Sequence, residues 1–508
     1  MNNPELAKLI TFIEENLRAS PSAGLAFVDS RGLRERLSSK QNHVVFGRRG
    51  AGKTSLVESA KGQKDVIDIY LNLEDYKDIT FPNIVIQILV NLFAELENTI
   101  YRRKWFCLFW PPVFTALKDL RRMRRALLPY LHDPDEETQA VKSSEGYSHQ
   151  MGSRIAAAGS EGGLKASRER SVEVNRTLPK NKVEYLRLEL TNYKDLIQRV
   201  SKLFNHAPIF LVFDDFYFIQ KNIQPELVDY FHRLTKGTDL FLKIATIKHR
   251  SKIYRRTRDQ YVGMELGHDV FAVDMDYTLD NFEELQGFMM QLLKRAVEKS
   301  GARIDVENLF AGGGFAQLCL SSGGVPRDFL SLFVTLANRP SVADTTIGKM
   351  DVNEAAIANL NNKMESMRRD SGHEDAVLDG CLRRIKSFVY EDKRTNAFLI
   401  AKDELDSDAQ ARQAIRELVD LRLIHLVDHN TSRAPSDGRR YEAYILDIGL
   451  YDNARPRNFN QIEPGQRDEK ARKDELRASP LFELKKLREP IPENPVQLEL
   501  LELIPTEE

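Results

Sequence analysis

The sequence predicts an α/β fold: a parallel sheet at the centre, a helical lid behind it, and a C-terminal unit of helices and short strands. Three observations carry this. Apolar, β-branched runs without polar alternation recur at residues 43–46, 66–73, 209–213, 240–246 and 270–273, as strands buried on both faces require. Segments of helical periodicity separate them, the order that lays strands parallel. Near residue 371 the pattern changes to helix, strand, helices and hairpin. The 508 residues have room for two to four domains at roughly 100–200 residues each.

Residues 1–40 read as a helix from Glu5 to Leu17 and a lead-in, and residues 41–275 as the sheet core. The gap between the second and third strands is too long for one crossover and holds an insertion at about 96–185. It opens on an apolar helix marked by Ile84, Ile88, Leu89 and Leu92, and continues into a basic stretch. Periodicity is then lost over 132–181, which is expected to be mobile. Residues 276–370 read as the helical lid, with helices at 281–299, 314–337 and 351–369. In 371–452 a stripe of Leu378, Leu382, Ile385 and Val389 marks a helix; a strand at 396–400, a helix at 408–421 and strands at 423–428 and 441–446 follow. That order is a winged helix. Residues 453–508, rich in proline and in blocks of charge, are expected to form a mobile tail that orders on a partner.

Composition narrows the function classes. Lys and Arg number 74 against 75 Asp and Glu, a formal net charge of −1, so the chain is no bulk polycation and nucleic-acid contact would rest on local clusters. The longest apolar stretch, residues 105–114, is about half a bilayer span and holds two prolines, so no transmembrane helix is expected. The N-terminus mixes acids and bases, unlike a secretory signal. Cys107, Cys319 and Cys381, odd in number and far apart, suit a reducing compartment, and a cytoplasmic location is expected. HExxH, GxSxG and CxxC patterns are missing from the sequence, which leaves metalloprotease, hydrolase and zinc-ribbon readings without support.

The strongest chemical signal is Gly47-Arg48-Arg49-Gly50-Ala51-Gly52-Lys53-Thr54, between an apolar strand and a helix-compatible stretch beginning at Ser55. Gly47, Gly50 and Gly52 let the loop wrap so that backbone N–H groups and the helix N-terminus face a β-phosphate. Lys53 then bridges β- and γ-phosphate oxygens, and the Thr54 hydroxyl ligates Mg²⁺. Two carboxylates, Asp214 and Asp215, directly follow five apolar residues, at the strand edge where α/β ligands bind. Asp214 is expected to face Mg²⁺ and Asp215 to orient the attacking water. Its shorter side chain, where many relatives carry Glu, predicts slow hydrolysis. Thr246 ends the next run ahead of Lys248, His249 and Arg250, and Gly324-Val325-Pro326-Arg327 sets an arginine at a helix start.

Together these motifs resemble the AAA+ superfamily of P-loop NTPases. The Gly-x-Pro-Arg form with a winged helix resembles its initiator clade (ORC/Cdc6-like) and the related STAND ATPases, over about residues 25–450 without the insertion. The resemblance implies ATP and Mg²⁺ as cofactors, ATPase activity, Thr246 as sensor 1, Arg327 as sensor 2 and a nucleotide-dependent homo-oligomer. Arg255 and Arg256 stand where such families place an arginine finger, or belong to a solvated basic helix.

Partners stay open at this level. The presumed recognition helix exposes Gln410, Arg412, Gln413 and Arg416 but also Glu417 and Asp420, and the wing adds Arg433, Arg439 and Arg440. This suits double-stranded DNA or a docked protein. Arg102, Arg103, Lys104, Lys118, Arg121, Arg122, Arg124 and Arg125, interleaved with Trp105, Phe106 and Trp110, suit nucleic acid, a protein partner or an acidic membrane. Two functions follow: an ATP-driven switch coupled to DNA association and assembly, or a signalling ATPase that gates a protein effector without DNA, for example in microbial antiviral defence.

Overall fold

The computed structural model describes residues 4–17, 27–62, 65–108, 110–132, 181–256, 260–339, 346–361, 363–365, 375–452, 456–465 and 474–488. Its centre is a five-stranded, all-parallel sheet of β1 (His43–Phe46), β2 (Ile67–Asn72), β3 (Ile209–Asp214), β4 (Leu240–Thr246) and β7 (Phe271–Asp274), in the order β2-β3-β4-β1-β7. A two-stranded hairpin, β5 (Tyr254–Arg256) with β6 (Tyr261–Gly263), lies between β4 and β7 in the chain.

Continuous apolar runs are needed because consecutive residues feed opposite layers. Val45, Val212, Ala245 and Val273 pack under α2 (Leu33–Leu37) and α3 (Lys53–Ala60), through Leu33, Leu37, Leu56 and Val57. Val44, Ile69, Leu211, Phe213 and Leu242 belong to the opposite layer. There they meet α4 (Asn83–Lys104), α5 (Pro111–His132), α6 (Asn181–Leu203) and α7 (Gln224–Thr235). The edge strands are less covered: β7 buries only Val273.

Several expectations need correction. The start of the insertion expected at about 96–185 is packed on the sheet: Leu96, Ile100, Val113, Leu117, Leu120 and Leu127 lie in the same core. Residues 133–180, most of the stretch expected to be mobile, lie outside the described residues. Residues 83–107 form one helical stretch long and apolar enough, by length and composition alone, to cross a membrane; most of it is buried in protein, as a core helix is. Arg255 and Arg256 lie on a hairpin strand rather than a basic helix.

The lid comprises α8 (Phe282–Ser300), α9 (Gly314–Ser321), α10 (Pro326–Ala337) and α11 (Lys349–Ala358). The single helix expected at 314–337 is broken because Gly323 and Gly324 take left-handed φ of 57° and 82°. The N-terminal helix α1 (Pro4–Asn16) is not a mere lead-in. Leu6, Leu9, Ile10 and Ile13 share the lid's core, and the Arg303 backbone N–H donates to Glu5 Oε2 at 2.7 Å.

The C-terminal unit runs α12 (Asp375–Lys386), β8 (Ala397–Ala401), α13 (Lys402–Ser407), α14 (Ala409–Asp420), β9 (Ile424–Thr431) and β10 (Tyr441–Leu446). Its antiparallel sheet has the order β8-β10-β9. The segment expected to be a mobile tail is folded onto this sheet where it is described. Leu399 N–H donates to Pro480 O at 2.9 Å, Phe482 N–H returns to Leu399 O at 2.8 Å, and Asn396 pairs through its amide with both backbone groups of Ile462. Phe482 and Ile462 are buried, so residues 456–465 and 474–488, including the short α15 (Asp474–Arg477), complete the domain. Residues 489–508 lie outside the described residues.

Candidate nucleotide site at the sheet edge

The strand β1 ends at Phe46 and the chain turns through residues 47–52 into α3. Gly50 and Gly52 hold left-handed φ of 86° and 92°, which side-chain-bearing residues adopt only with strain, so the turn requires its glycines. Gly47 N–H donates to Thr246 O at 3.2 Å, which ties the loop to the end of β4, where Phe46 and Thr246 are in register. Arg48 acts as a strut. It is buried, its N–H donates to Asp276 Oδ1 at 2.9 Å, and its Nη2 donates to the Tyr277 carbonyl at 2.9 Å.

Lys53 opens α3 and is buried. Its ammonium donates to Gly47 O at 3.0 Å and Arg48 O at 3.2 Å and makes no ion pair among the described residues. Burial lowers its pKa, against the opposing pull of Asp215, Asp276 and Asp214. With no carboxylate within ion-pair distance among the described residues, the ammonium is held by backbone carbonyls and by the more distant field of those three acids. Thr54 follows, and its hydroxyl donates to Asp214 Oδ2 at 2.7 Å across 160 residues of chain. Ser55 is half-buried behind it.

Asp214 ends β3 and is buried; Tyr70, on β2, donates a short hydrogen bond to the same carboxylate oxygen. Asp215 follows with a left-handed φ of 51°, an uncommon state for a residue with a side chain. Its carboxyl is pushed up to about 6, first by burial and then by Asp214, with Lys53 pulling the other way. Thr246 is fully buried, its hydroxyl paired with Ser251.

The lid reaches this loop directly. Arg327 N–H donates to Gly50 O at 3.3 Å, and a Cβ at Gly50 would come within 2.9 Å of Arg327 Cβ and 3.0 Å of Val325 Cγ1. The Arg327 guanidinium has no hydrogen bond or ion pair among the described residues; it lies in a crowded cleft still open to solvent. Burial and the nearby Arg49 lower its pKa. Thus Gly47, Gly50, Gly52, Lys53, Thr54, Asp214, Asp215, Thr246 and Arg327 converge at one end of the sheet.

The C-terminal domain closes the arrangement, which the sequence reading did not foresee. Arg422 grips Asp328, the neighbour of Arg327, with Nη1 at 2.7 and 2.8 Å from the two carboxylate oxygens. Helix α14 packs on the core: Gln413 Nε2 donates to His249 O at 3.2 Å and Lys221 reaches Glu417 at 3.3 Å. Glu417 and Asp420, expected to be exposed, are buried, because this face of α14 covers the turn after β4. Asp420 Oδ2 has no hydrogen-bond partner among the described residues, and burial, then Asp276, pushes its carboxyl up to about 7. Arg416 is half-buried and tied to Glu442 at 2.6 Å, and Arg439 holds Asp403 with contacts of 2.7 and 2.9 Å. Tyr70 and Asp276 lay outside every motif, and the strut role of Arg48 and the burial of Asp420 were not legible, since each depends on residues far away in sequence.

No protein-family model matches the chain, and the curated proteins give no match. Solved structures do. The chain is similar to a Walker-type ATPase of Pyrococcus abyssi at 12% identity and TM-score 0.36, covering 87% of this chain and 92% of that one. It is similar to Drosophila ORC bound to DNA at 11% identity and TM-score 0.34, covering 88% and 90%. It is also similar to the Aeropyrum pernix ORC1 protein in complex with DNA at 13% and 0.34, covering 84% and 91%. Scores of this size say nothing of the site, whose chemistry follows from its own residues.

Proposed function

We propose that the chain is an ATP-binding switch of the P-loop class that hydrolyses ATP slowly and transmits nucleotide state from the core to the lid and C-terminal domain. One observation carries this reading: buried Lys53 and the guanidinium of Arg327 from the lid, neither in an ion pair among the described residues, meet at one glycine loop. A polyphosphate supplies the missing negative charge to both. The Thr54 hydroxyl and Asp214 carboxylate, hard oxygen donors held together, fit Mg²⁺ and would hold it. When bound, the ion neutralises charge on the β- and γ-phosphate oxygens. Asp215, its carboxyl raised to about 6 by burial and then by Asp214, accepts a proton from an attacking water. The Thr246 hydroxyl polarises the same region, and Arg327 couples the γ-phosphate to α10.

Titration calorimetry of the full chain with ATP and Mg²⁺ tests this. Binding is expected for the parent and lost in Lys53→Ala. Unchanged affinity in that variant removes the reading.

For the C-terminal domain, read as a winged helix, we infer protein gating ahead of DNA binding. What favours it is that the helix expected to read DNA is packed on the core, with Arg416 held by the buried Glu442 and Arg439 paired with Asp403 at the surface. Arg433 and Arg440 make no ion pair among the described residues and are what remains for phosphate. A duplex shift assay at low salt with ATP separates the two readings. Binding that weakens on neutralising Arg433 and Arg440 would restore the DNA reading.

A further inference from the structure

The turn joining α4 to α5 exposes the side chains that folded proteins ordinarily bury. Trp105 is 58% exposed, Phe106 81%, Trp110 52% and Phe114 60%. Both tryptophans of the chain are among them. Surface apolar residues scattered singly need no explanation, but four large aromatics within ten residues mark an interaction site.

The charges around this tip are layered rather than mixed. Residues 105–114 carry none, whereas eight cations and one carboxylate occupy the flanking parts of 102–125, Arg102 pairing with Glu95 and Arg121 and Arg124 with Glu97 of α4. The carboxylate, Asp119, is neutralised by Arg199 at 2.7 Å and Arg122 at 3.5 Å. Arg103, Lys104, Lys118 and Arg125 make no ion pair among the described residues. Phe114, Lys118, Arg121 and Arg125, spaced by four, three and four, share one face of α5. At about 1.5 Å per residue, Lys118 stands about 6 Å and Arg121 about 10 Å behind Phe114 along the axis.

An apolar cap with a cationic collar one to two helical turns behind it matches the depth profile of a bilayer surface. There, apolar side chains enter about 5–10 Å below the headgroups, aromatic side chains favour the interface, and phosphates lie above. Single-stranded nucleic acid asks for the opposite pattern, with cations and stacking rings alternating along the chain. We propose that the α4–α5 tip is a membrane-interface anchor that inserts Trp105, Phe106, Trp110 and Phe114 into an anionic bilayer, with lipid phosphates on the collar. The helix does not span, because the rest of its apolar surface is buried in the core.

The test uses the full chain with vesicles of phosphatidylcholine alone or mixed with phosphatidylglycerol. Tryptophan emission reports the tip alone, since both tryptophans lie there. Flotation with the anionic vesicles, a blue shift and quenching by brominated lipid are expected, with far weaker effects on neutral vesicles. Phe106→Ser combined with Phe114→Ser should abolish flotation while nucleotide binding is kept. Neutralising Arg103, Lys104, Lys118 and Arg125 to Gln should lower partitioning onto anionic vesicles by up to about a thousandfold. The proposal is overturned if anionic vesicles change neither flotation nor emission, or if the double serine variant floats like the parent. An emission change with single-stranded oligonucleotide but none with vesicles would also overturn it and assign the tip to nucleic acid.

Discussion

Asp215→Asn should make the nucleotide-free protein more stable and catalytically weaker. The Asp215 carboxyl ionises near 3.8 in an unfolded chain but holds its proton to about 6 in the fold. The folded state is therefore favoured at low pH, loses stability as pH rises between these values, and bears the full cost above about pH 6. At about 1.4 kcal/mol per pH unit the cost is about 3 kcal/mol, reduced to about 1–2 kcal/mol by the water that reaches a half-buried group. Asparagine carries no charge to bury, and it tolerates the left-handed φ of 51° that the position demands. The bond from the residue 215 N–H to Asp214 Oδ1 at 2.9 Å is kept. Urea unfolding of parent and variant should show the gain at about pH 7 and none below about pH 4, while ATP turnover falls about a hundredfold or more. A variant no more stable than the parent at neutral pH, or one equally stabilised at both values, refutes the reasoning.

Thr54→Ala should weaken the Mg²⁺-dependent part of ATP binding and leave Asp214 with only the Tyr70 hydroxyl and the Asp215 N–H as partners; calorimetry with and without Mg²⁺ reads the difference. Arg422→Ala strips the counter-ion from Asp328, a pair 9% and 13% exposed, and should loosen the C-terminal domain from the lid by about 3–5 kcal/mol, read as faster hydrogen exchange over 409–423. Gly50→Ala forces a Cβ to 2.9 Å from Arg327 and strains a φ of 86°, so α10 should lose its nucleotide-induced protection while Lys53 still binds phosphate. Asp420→Asn should stabilise the protein above about pH 7 and have no effect below about pH 4, because its carboxyl is raised to about 7 by burial; thermal unfolding across that range checks it.

The strand, glycine turn and helix at 43–60 were legible because their information is local, and the left-handed turn needs glycine whatever surrounds it. The acidic end of β3 was equally plain, since six buried residues in a row admit one kind of strand. Burial, in contrast, was misjudged wherever it came from a distant element. Leu96 and Ile100 read as the start of an insertion yet complete the sheet's core, and Phe482 read as tail yet fills the C-terminal sheet.

By itself the sequence determined which residues form the glycine turn and the acidic strand end, since these follow from side-chain chemistry and backbone demands within a short stretch. Only the tertiary structure decided what faces them. Thr54 meets Asp214 across 160 residues, Arg422 meets Asp328 across 94, and Gln413 meets the His249 carbonyl across 164. Such contacts form when separate hydrophobic faces pack together, and no local periodicity in the chain records which faces those are.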